Sequence, residues 1–294
     1  MKLLGKYKNG NYNVVIFDNG TKARITKDNK FIAKFPECMD VKITNCCDMD
    51  CPYCHEASSR EGKHGDILNT EFINTLKPFT ELAIGGGNPL SHPDLLEFLT
   101  VLKGKNIIAN MTVNQMHFMQ NLNYIDNLIK NGLIKGLGIS LVKPTKEFIK
   151  QVKQYPNAVI HVINGVIKIE DLEKLYDNDL KILVLGYKTF RKGHQYYSDI
   201  VEKNKAVVKL KMKEILQHFK VVSFDNLAIE QLEVKKLMEE KEWYDFYMGD
   251  DGQFTMYIDL VNKQFARCSV SDMRYALKDN IEEMFEIVKG ERNE

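Results

Sequence analysis

The sequence predicts an α/β fold: a partial (β/α)6-type barrel with a small N-terminal β-meander and a short C-terminal α+β extension. The first observation is that short apolar segments alternate with amphipathic helical segments from residue 39 to residue 224. Such alternation favours parallel strands joined by right-handed crossovers. The second is that strand patterns near both ends of the chain are separated by short turn signals, which predict hairpins. The 294 residues suffice for one large domain with appendages.

Residues 1–36 are predicted to form the meander. Tyr12–Phe17 and Lys22–Ile25 are rich in β-forming residues, and the Asp-Asn-Gly run at 18–20 between them is a strong hairpin signal. A second turn is predicted at residues 27–30.

Residues 37–225 are predicted to contain the barrel, because six strand patterns of three to six residues occur before residue 186 and one more follows. The predicted strands are 39–44, 82–84, 107–111, 137–141, 158–162, 181–185 and 221–224. The predicted helices are 71–76, 93–102, 115–131, 146–154, 170–176 and 198–218. Gly132 is expected to stop the third of these helices, since glycine readily adopts the left-handed conformation after a helix end.

Residues 226–294 are predicted to form the extension. Residues 254–260 and 264–267 alternate around a turn and predict a hairpin, and 281–288 predict a final helix. A cluster of four aromatic residues in this part is interpreted as core or, alternatively, as the wall of a substrate site: Trp243, Tyr244, Phe246 and Tyr247.

Composition excludes several partner classes. Charged residues make up 28% of the chain and the net charge is +1, so no strong field favours nucleic acid or a membrane surface. The N-terminal residues lack the apolar core of a signal sequence, and no apolar run reaches about 18 residues. We therefore expect a cytoplasmic protein with no membrane or nucleic-acid partner.

The chemistry is concentrated in one loop. Cys47, Cys51 and Cys54 have the spacing C-x3-C-x2-C, and the aromatic Tyr53 precedes the last of them. A [4Fe–4S] cluster takes four thiolates, so a loop that supplies three leaves one iron open to an exogenous ligand. The three cysteines are therefore the predicted metal ligands.

Other interpretations of this loop remain open. A structural zinc site takes four protein ligands in a closed tetrahedron. The fourth ligand would have to be His55, Cys46, Cys38 or a distant group, and no second C-x2-C pair exists. A disulfide is disfavoured in a long chain of this type. A non-catalytic zinc-binding or interaction module is thus the alternative to an iron–sulfur protein.

The cysteine motif resembles that of the radical S-adenosylmethionine (SAM) superfamily, with no subgroup assigned. The resemblance implies an enzyme that binds a [4Fe–4S] cluster and reductively cleaves SAM to a 5′-deoxyadenosyl radical. That radical would abstract hydrogen from an unidentified substrate: a peptide, a protein or a small molecule, with peptide or protein modification favoured. The resemblance also implies a low-potential electron donor of the flavodoxin or ferredoxin type.

The same resemblance suggests the SAM-binding residues. A Gly-Gly-Glu-Pro stretch is usual after the second barrel strand, and this chain has Gly86, Gly87 and Asn88 there. Asn88 replaces the usual acid and provides an amide oxygen without a full charge. A barrel that holds the cluster but cleaves SAM poorly is a further alternative.

Polar residues at later strand ends complete the expected cofactor site. Ser140, at the end of the fourth strand, could reach the ribose hydroxyls or the carboxylate of SAM, and Asn164, after the fifth, could bond to its purine or ribose. Lys188 and Arg191 follow the sixth strand and could pair with the SAM carboxylate. Tyr53 is assigned to cofactor binding through its place in the cysteine motif. His161 is interpreted as a hydrogen-bonded core histidine rather than a catalyst.

Overall fold

The computed structural model describes residues 1–28 and 30–291. Residue 29, in the second predicted turn, and the last three residues of the predicted extension lie outside this part. The described chain forms two sheets, one of three strands and one of ten. The larger sheet is mostly parallel and open, and helices connect its strands, so the predicted fold class is confirmed.

The N-terminal sheet is antiparallel, in the order β1 (Leu3–Asn9), β2 (Tyr12–Phe17) and β3 (Lys22–Ile25). Every second residue of β2 is buried, as the alternating pattern predicted. The predicted hairpin between β2 and β3 is present. Strand β1 was not predicted, because lysines interrupt its apolar pattern.

The large sheet has the order β10-β9-β8-β7-β6-β5-β4-β11-β12-β13, and its eight strands from β10 to β11 are parallel. The barrel strands are β4 (Cys38–Thr44), β5 (Glu81–Gly86), β6 (Ile108–Asn114), β7 (Gly136–Ser140), β8 (Ala158–Ile163), β9 (Lys181–Leu185) and β10 (Val221–Phe224). All seven strand predictions are confirmed to within three residues at each end. Because successive strands are neighbours, right-handed crossovers place the connecting helices on one face.

The helices connect the strands and close the chain. They are α1 (Leu95–Gly104), α2 (Gln115–Gln120), α3 (Leu122–Lys130), α4 (Lys146–Val152), α5 (Ile169–Glu173), α6 (Lys192–Tyr196), α7 (Asp199–Ile215), α8 (Asn226–Leu232), α9 (Glu240–Phe246) and α10 (Ile281–Gly290). In the described residues, no helix combines the length and apolar character needed to cross a bilayer.

Two helix predictions were wrong in detail. The segment 115–131, predicted as one helix, is broken at Asn121, whose backbone is not helical (φ −123°, ψ 29°). The segment 71–76 forms a single 3-10 turn, Glu71–Thr75. Gly132 follows α3 with a φ of 63°, in the left-handed conformation expected of a helix stop.

The core lies between the large sheet and its helices. Alternate strand residues such as Val41, Ile84, Met111 and Ile160 are buried in it. The intervening residues, for example Asp40 of β4, point to the opposite side of the sheet, which we call the inner face. Active groups of parallel α/β proteins collect near the carboxyl ends of the strands.

The C-terminal extension joins the same sheet. Strands β11 (Thr255–Asp259) and β12 (Gln264–Ala266) form the predicted hairpin, and β13 (Tyr275–Ala276) follows at the edge. The pairing of β11 with β4 was not predicted. The interpretation of the aromatic residues as core was wrong for Tyr244 and Phe246, which are exposed. The division at residues 36 and 225 stays a prediction.

Candidate functional site

The three motif cysteines lie in the loop after β4, at the carboxyl edge of the sheet. Cys47, Cys51 and Cys54 carry free, half-buried thiols. The Cys54 N–H donates to the Cys51 carbonyl at 3.2 Å, and the Ala57 N–H donates to the Cys54 carbonyl at 3.1 Å. These two hydrogen bonds constrain the backbone on both sides of Cys54.

Electrostatics of the loop favour a cationic group among the thiols. Burial and then the neighbouring Cys54 and Cys47 raise the pKa of Cys51 to about 11. Burial also raises the pKa of Cys47. A metal or a cluster requires thiolates, and its positive charge would relieve this cost by deprotonating the thiols.

The spacing of possible ligand atoms is a test of which metal group fits. Among the described residues, the single set of three such atoms within 4.8 Å of one another belongs to Cys47, Asp48 and His117. A tetrahedral zinc ion with ~2.3 Å bonds would hold its sulfurs only ~3.8 Å apart. At least one pair of the three thiols is therefore more than 4.8 Å apart, and a loop that supplies three thiolates fits a [4Fe–4S] cluster.

Backbone bonds hold the start of the loop. The Asn45 N–H donates to the Lys63 carbonyl at 2.8 Å, and the Cys47 N–H donates to the Ser59 carbonyl at 2.7 Å. Gly62 lies so close to Asn45 that a Cβ atom there would overlap the Asn45 carbonyl. The first predicted ligand, Cys47, therefore lies in a part of the loop that backbone hydrogen bonds hold in place.

The glycine segment after β5 docks onto the cysteine loop. The Gly87 N–H donates to the Thr44 carbonyl at 2.8 Å, and the Asn88 N–H donates to the Cys46 carbonyl at 2.7 Å. A Cβ atom at Gly87 would overlap the Cys46 carbonyl, and Gly86 has a φ of 115°. Glycine is required here for close backbone approach. The Asn88 side chain accepts from the Leu90 N–H at 3.2 Å, so it caps the following turn.

Ser140 lies on the inner face at the end of β7, opposite His161 of β8 and Asn114 of β6. The His161 ring lies over Gly138, where it contacts the space a Cβ atom would fill. Its nitrogens make no hydrogen bond with the described residues, contrary to the interpretation as a hydrogen-bonded histidine. Burial lowers the pKa of His161 to about 4, so the ring is neutral near pH 7.

The remaining predicted cofactor residues fall into two places. Asn164 is fully buried: its amide N–H donates to Gln231 of α8 at 3.0 Å, and its Oδ1 atom has no hydrogen-bond partner among the described residues. Lys188 donates to Ser269 Oγ at 2.9 Å and lies 3.5 Å from His55. Arg191 donates to the Glu56 carbonyl at 2.8 Å. The two cations thus meet the segment that follows Cys54.

Tyr53 packs against the segment that contains Arg191 and continues into α6. Its ring lies edge-on to Tyr196 of α6, with centroids 5.6 Å apart, and Lys192 pairs with Asp50 at 2.5 Å. Residues 186–197 therefore cover the cysteine loop. The ligand and cofactor roles assigned to all these residues stay predictions.

The sequence interpretation missed several charged residues at this site. Lys42 of β4 is buried and pairs with Glu56 and Asp259, and His117 lies 2.6 Å from Asp48. A lysine between the apolar Val41 and Ile43 was the available signal, because a buried charge demands a partner. The sequence contains no comparable signal that identifies the partners of Lys42 or of His117, because these partners are not neighbours in the sequence.

Comparisons with known proteins agree with this geometry. Residues 41–171 match the model of the radical SAM superfamily. A PqqA peptide cyclase from Gluconobacter oxydans is 27% identical over 81 residues, which cover 26% of this chain and 23% of that protein. The match therefore spans less than a quarter of that relative.

Two solved structures share the fold. Streptococcus suis SuiB, crystallised with the precursor peptide SuiA, gives a TM-score of 0.56 at 16% identity over 88% of this chain and 67% of SuiB. The protein anSMEcpe, crystallised with AdoMet, gives 0.50 at 14% identity over 86% and 77%. Residues 41–171 thus match the radical SAM superfamily in sequence, and the chain shares its fold with these two structures. The cofactors of that superfamily are a [4Fe–4S] cluster and SAM.

Proposed function

We propose that this protein is a radical SAM enzyme acting on a peptide or protein substrate. The observation that carries the proposal is the set of three half-buried thiols after β4, docked on a glycine segment inside a matched radical SAM domain. When bound, the cluster and SAM supply a 5′-deoxyadenosyl radical, which takes one hydrogen atom from a substrate C–H bond.

The residues of the chain would hold and orient these cofactors. Cys47, Cys51 and Cys54 would ligate three irons and leave the fourth to SAM. The backbone of Gly86 and Gly87 would approach SAM closely, while Ser140 presents a hydroxyl on the inner face. No side chain has to act as a general acid or base for the radical step, because the cofactors carry that chemistry.

A peptide substrate is supported by two observations. The names of the relatives include a peptide cyclase and a protein crystallised with a precursor peptide. In this chain, β1 pairs on one side only among the described strands. A groove of about 540 Å³ beside it is lined in part by Lys6, Lys8, Tyr7 and Phe79. An extended acidic peptide could add to such an edge as a further strand.

Reduction of the cluster requires an electron from outside the chain. We propose a low-potential donor of the flavodoxin or ferredoxin type, since a cluster of this class works near the negative end of the Fe–S range of about −700 to +450 mV.

Anaerobic reconstitution tests the proposal. We expect about four irons per chain, an EPR spectrum of the reduced cluster that changes when SAM is added, and 5′-deoxyadenosine after dithionite reduction. A colourless protein that retains zinc would instead establish the non-catalytic metal module. A cluster whose spectrum ignores SAM would also contradict the proposal.

A further inference from the structure

Lys42 is a buried cation at the centre of the candidate site. Its side chain is 1% exposed, and its ammonium lies 2.9 Å from Glu56 and 3.3 Å from Asp259. The two carboxylates come from different parts of the chain: Glu56 from the cysteine loop, and Asp259 from β11 of the extension. Burial of a charge is costly unless partners compensate it, so all three groups must be held together.

The stem of Lys42 also supports the glycine segment. Its Cγ atom would lie 2.9 Å from a Cβ atom at Gly86, so the methylene chain packs directly under that glycine. Asp259 lies opposite Lys42 in the parallel pairing of β11 with β4. One side chain therefore contacts the glycine segment, the cysteine loop and the C-terminal extension.

Glu56 collects the other contacts of the network. Its carboxylate accepts from the Tyr257 hydroxyl at 3.0 Å and lies 3.4 Å from Arg191. His55 lies 3.5 Å from the same carboxylate. Glu56 is two residues beyond Cys54, and the intervening turn is closed by the bond from Ala57 to Cys54. Fixing Glu56 thus fixes the end of the loop that carries Cys54.

We propose that Lys42 is a positioning residue that holds the Cys54 end of the cysteine loop against the glycine segment and β11. The extension is then part of the cofactor site, because it supplies Asp259 and Tyr257 to the same network. The inference deepens the proposed function and rests on it only where a bound cluster is measured. The loop is ordered by protein contacts before any cofactor binds.

The first experiment uses the apo-protein. Hydrogen exchange is measured by mass spectrometry on a peptide covering residues 51–57 in the native protein, Glu56→Gln and Tyr257→Phe. We expect exchange about tenfold faster in Glu56→Gln and about threefold faster in Tyr257→Phe, since charged bonds outweigh neutral ones. Lys220→Met, which breaks an exposed pair with Asp179 (2.9 Å), is the matched control and leaves this peptide unchanged.

The second experiment separates positioning from global stability. The triple variant Lys42→Met/Glu56→Gln/Asp259→Asn removes all three charges, and such neutral replacements often preserve stability. We expect its apo-protein to melt within about 4 °C of the native protein. After reconstitution we expect it to release iron to a chelator about tenfold faster, which corresponds to about 1.4 kcal/mol.

The outcomes are distinct. If folded Glu56→Gln and Tyr257→Phe protect residues 51–57 as well as the native apo-protein does, Lys42 does not position the loop. Native-like iron release from the triple variant would also overturn the inference. If the native protein holds no cluster, the proposed function fails, while the exchange comparison still decides the role of Lys42. Should the triple variant not fold, Glu56→Gln, which removes one charged partner of Lys42, carries both measurements.

Discussion

The inner face of the sheet has two unlike halves. On the β4 and β11 side, Lys42 and Asp259 are buried and ion-paired, and backbone bonds join the two loops above them. On the β7 and β8 side, the neutral ring of His161 packs against Gly138, and the Asn110 side chain packs against Gly136. In the part of the chain that the structure describes, the Ser140 and His161 side chains make no hydrogen bond.

This difference indicates that the two halves of the inner face have different roles. Paired charges and close glycine contacts make the first half rigid, which suits a site that must hold a cluster in one geometry. In the second half, Ser140 and His161 have no hydrogen-bond partner among the described residues, which suits a site that receives a ligand. We therefore expect substitutions in the first half to change cofactor retention, and those in the second half to change ligand contacts.

The largest effect is expected from the predicted cluster ligands. Replacing Cys51 or Cys54 by serine removes a thiolate, so iron should fall from about four per chain to less than about one. Iron analysis after anaerobic reconstitution measures this. Cys46→Ala is the matched control, because Cys46 Sγ bonds to the Arg60 carbonyl outside the predicted ligand set, and it should keep its iron. Full iron in Cys54→Ser would remove the basis of the comparison.

The next effect concerns the contact between the two loops of the rigid half. In Gly87→Ala the new methyl group overlaps the Cys46 carbonyl, and overpacking of this kind costs about 1–3 kcal/mol. We expect the melting temperature to fall by roughly 5 °C and SAM affinity to fall about tenfold. Calorimetry and equilibrium dialysis measure the two quantities.

Gly85→Ala is the control for the melting temperature, because a Cβ atom at Gly85 meets nothing within 4 Å. Equal melting temperatures for the two alanine variants would show that the glycine segment is not tightly docked.

A smaller effect is expected on the β7 and β8 side of the inner face. The pKa of His161 lies below its usual 6.5, at about 4, so the unfolded chain binds a proton first as the pH falls. Stability is therefore retained above about pH 6.5 and lost between there and pH 4, by at most about 1.4 kcal/mol per pH unit. His161→Gln should weaken this acid loss in urea titrations. An unchanged pH profile would place the ring in a more solvated setting.

The smallest effect is expected at Asn88. Aspartate can accept the same bond from the Leu90 N–H and adds the charge that the superfamily usually has there. Charge-assisted hydrogen bonds are stronger than neutral ones, so Asn88→Asp should raise SAM affinity by about threefold. Dialysis against labelled SAM measures it, and Asn88→Leu, which lacks the cap, should weaken binding. A lower SAM affinity in Asn88→Asp than in the native protein would show that this side chain does not face the SAM amino group.

The sequence was sufficient for the repeating architecture because periodicity is a local property. Strands such as Lys181–Leu185 were predicted at their observed bounds, and the hairpin around residues 18–20 follows from its turn residues. The prediction of one continuous helix over residues 115–131 was wrong because the break at Asn121 lies within an otherwise continuous helical pattern. The prediction of a helix over residues 71–76 was wrong because the conformation of so short a segment depends on tertiary packing.

The sequence by itself determined the cysteine spacing, the glycine segment after the second barrel strand and the order in which strands and helices follow one another along the chain. Each of these features depends only on residues that are neighbours in the sequence. Only the tertiary structure decided that β11 pairs with β4, that Asn164 is buried against Gln231, and that Arg191 meets Glu56. The reason is physical: these contacts join residues 67 to 217 positions apart, and a buried charge requires a partner without specifying where in the chain that partner lies.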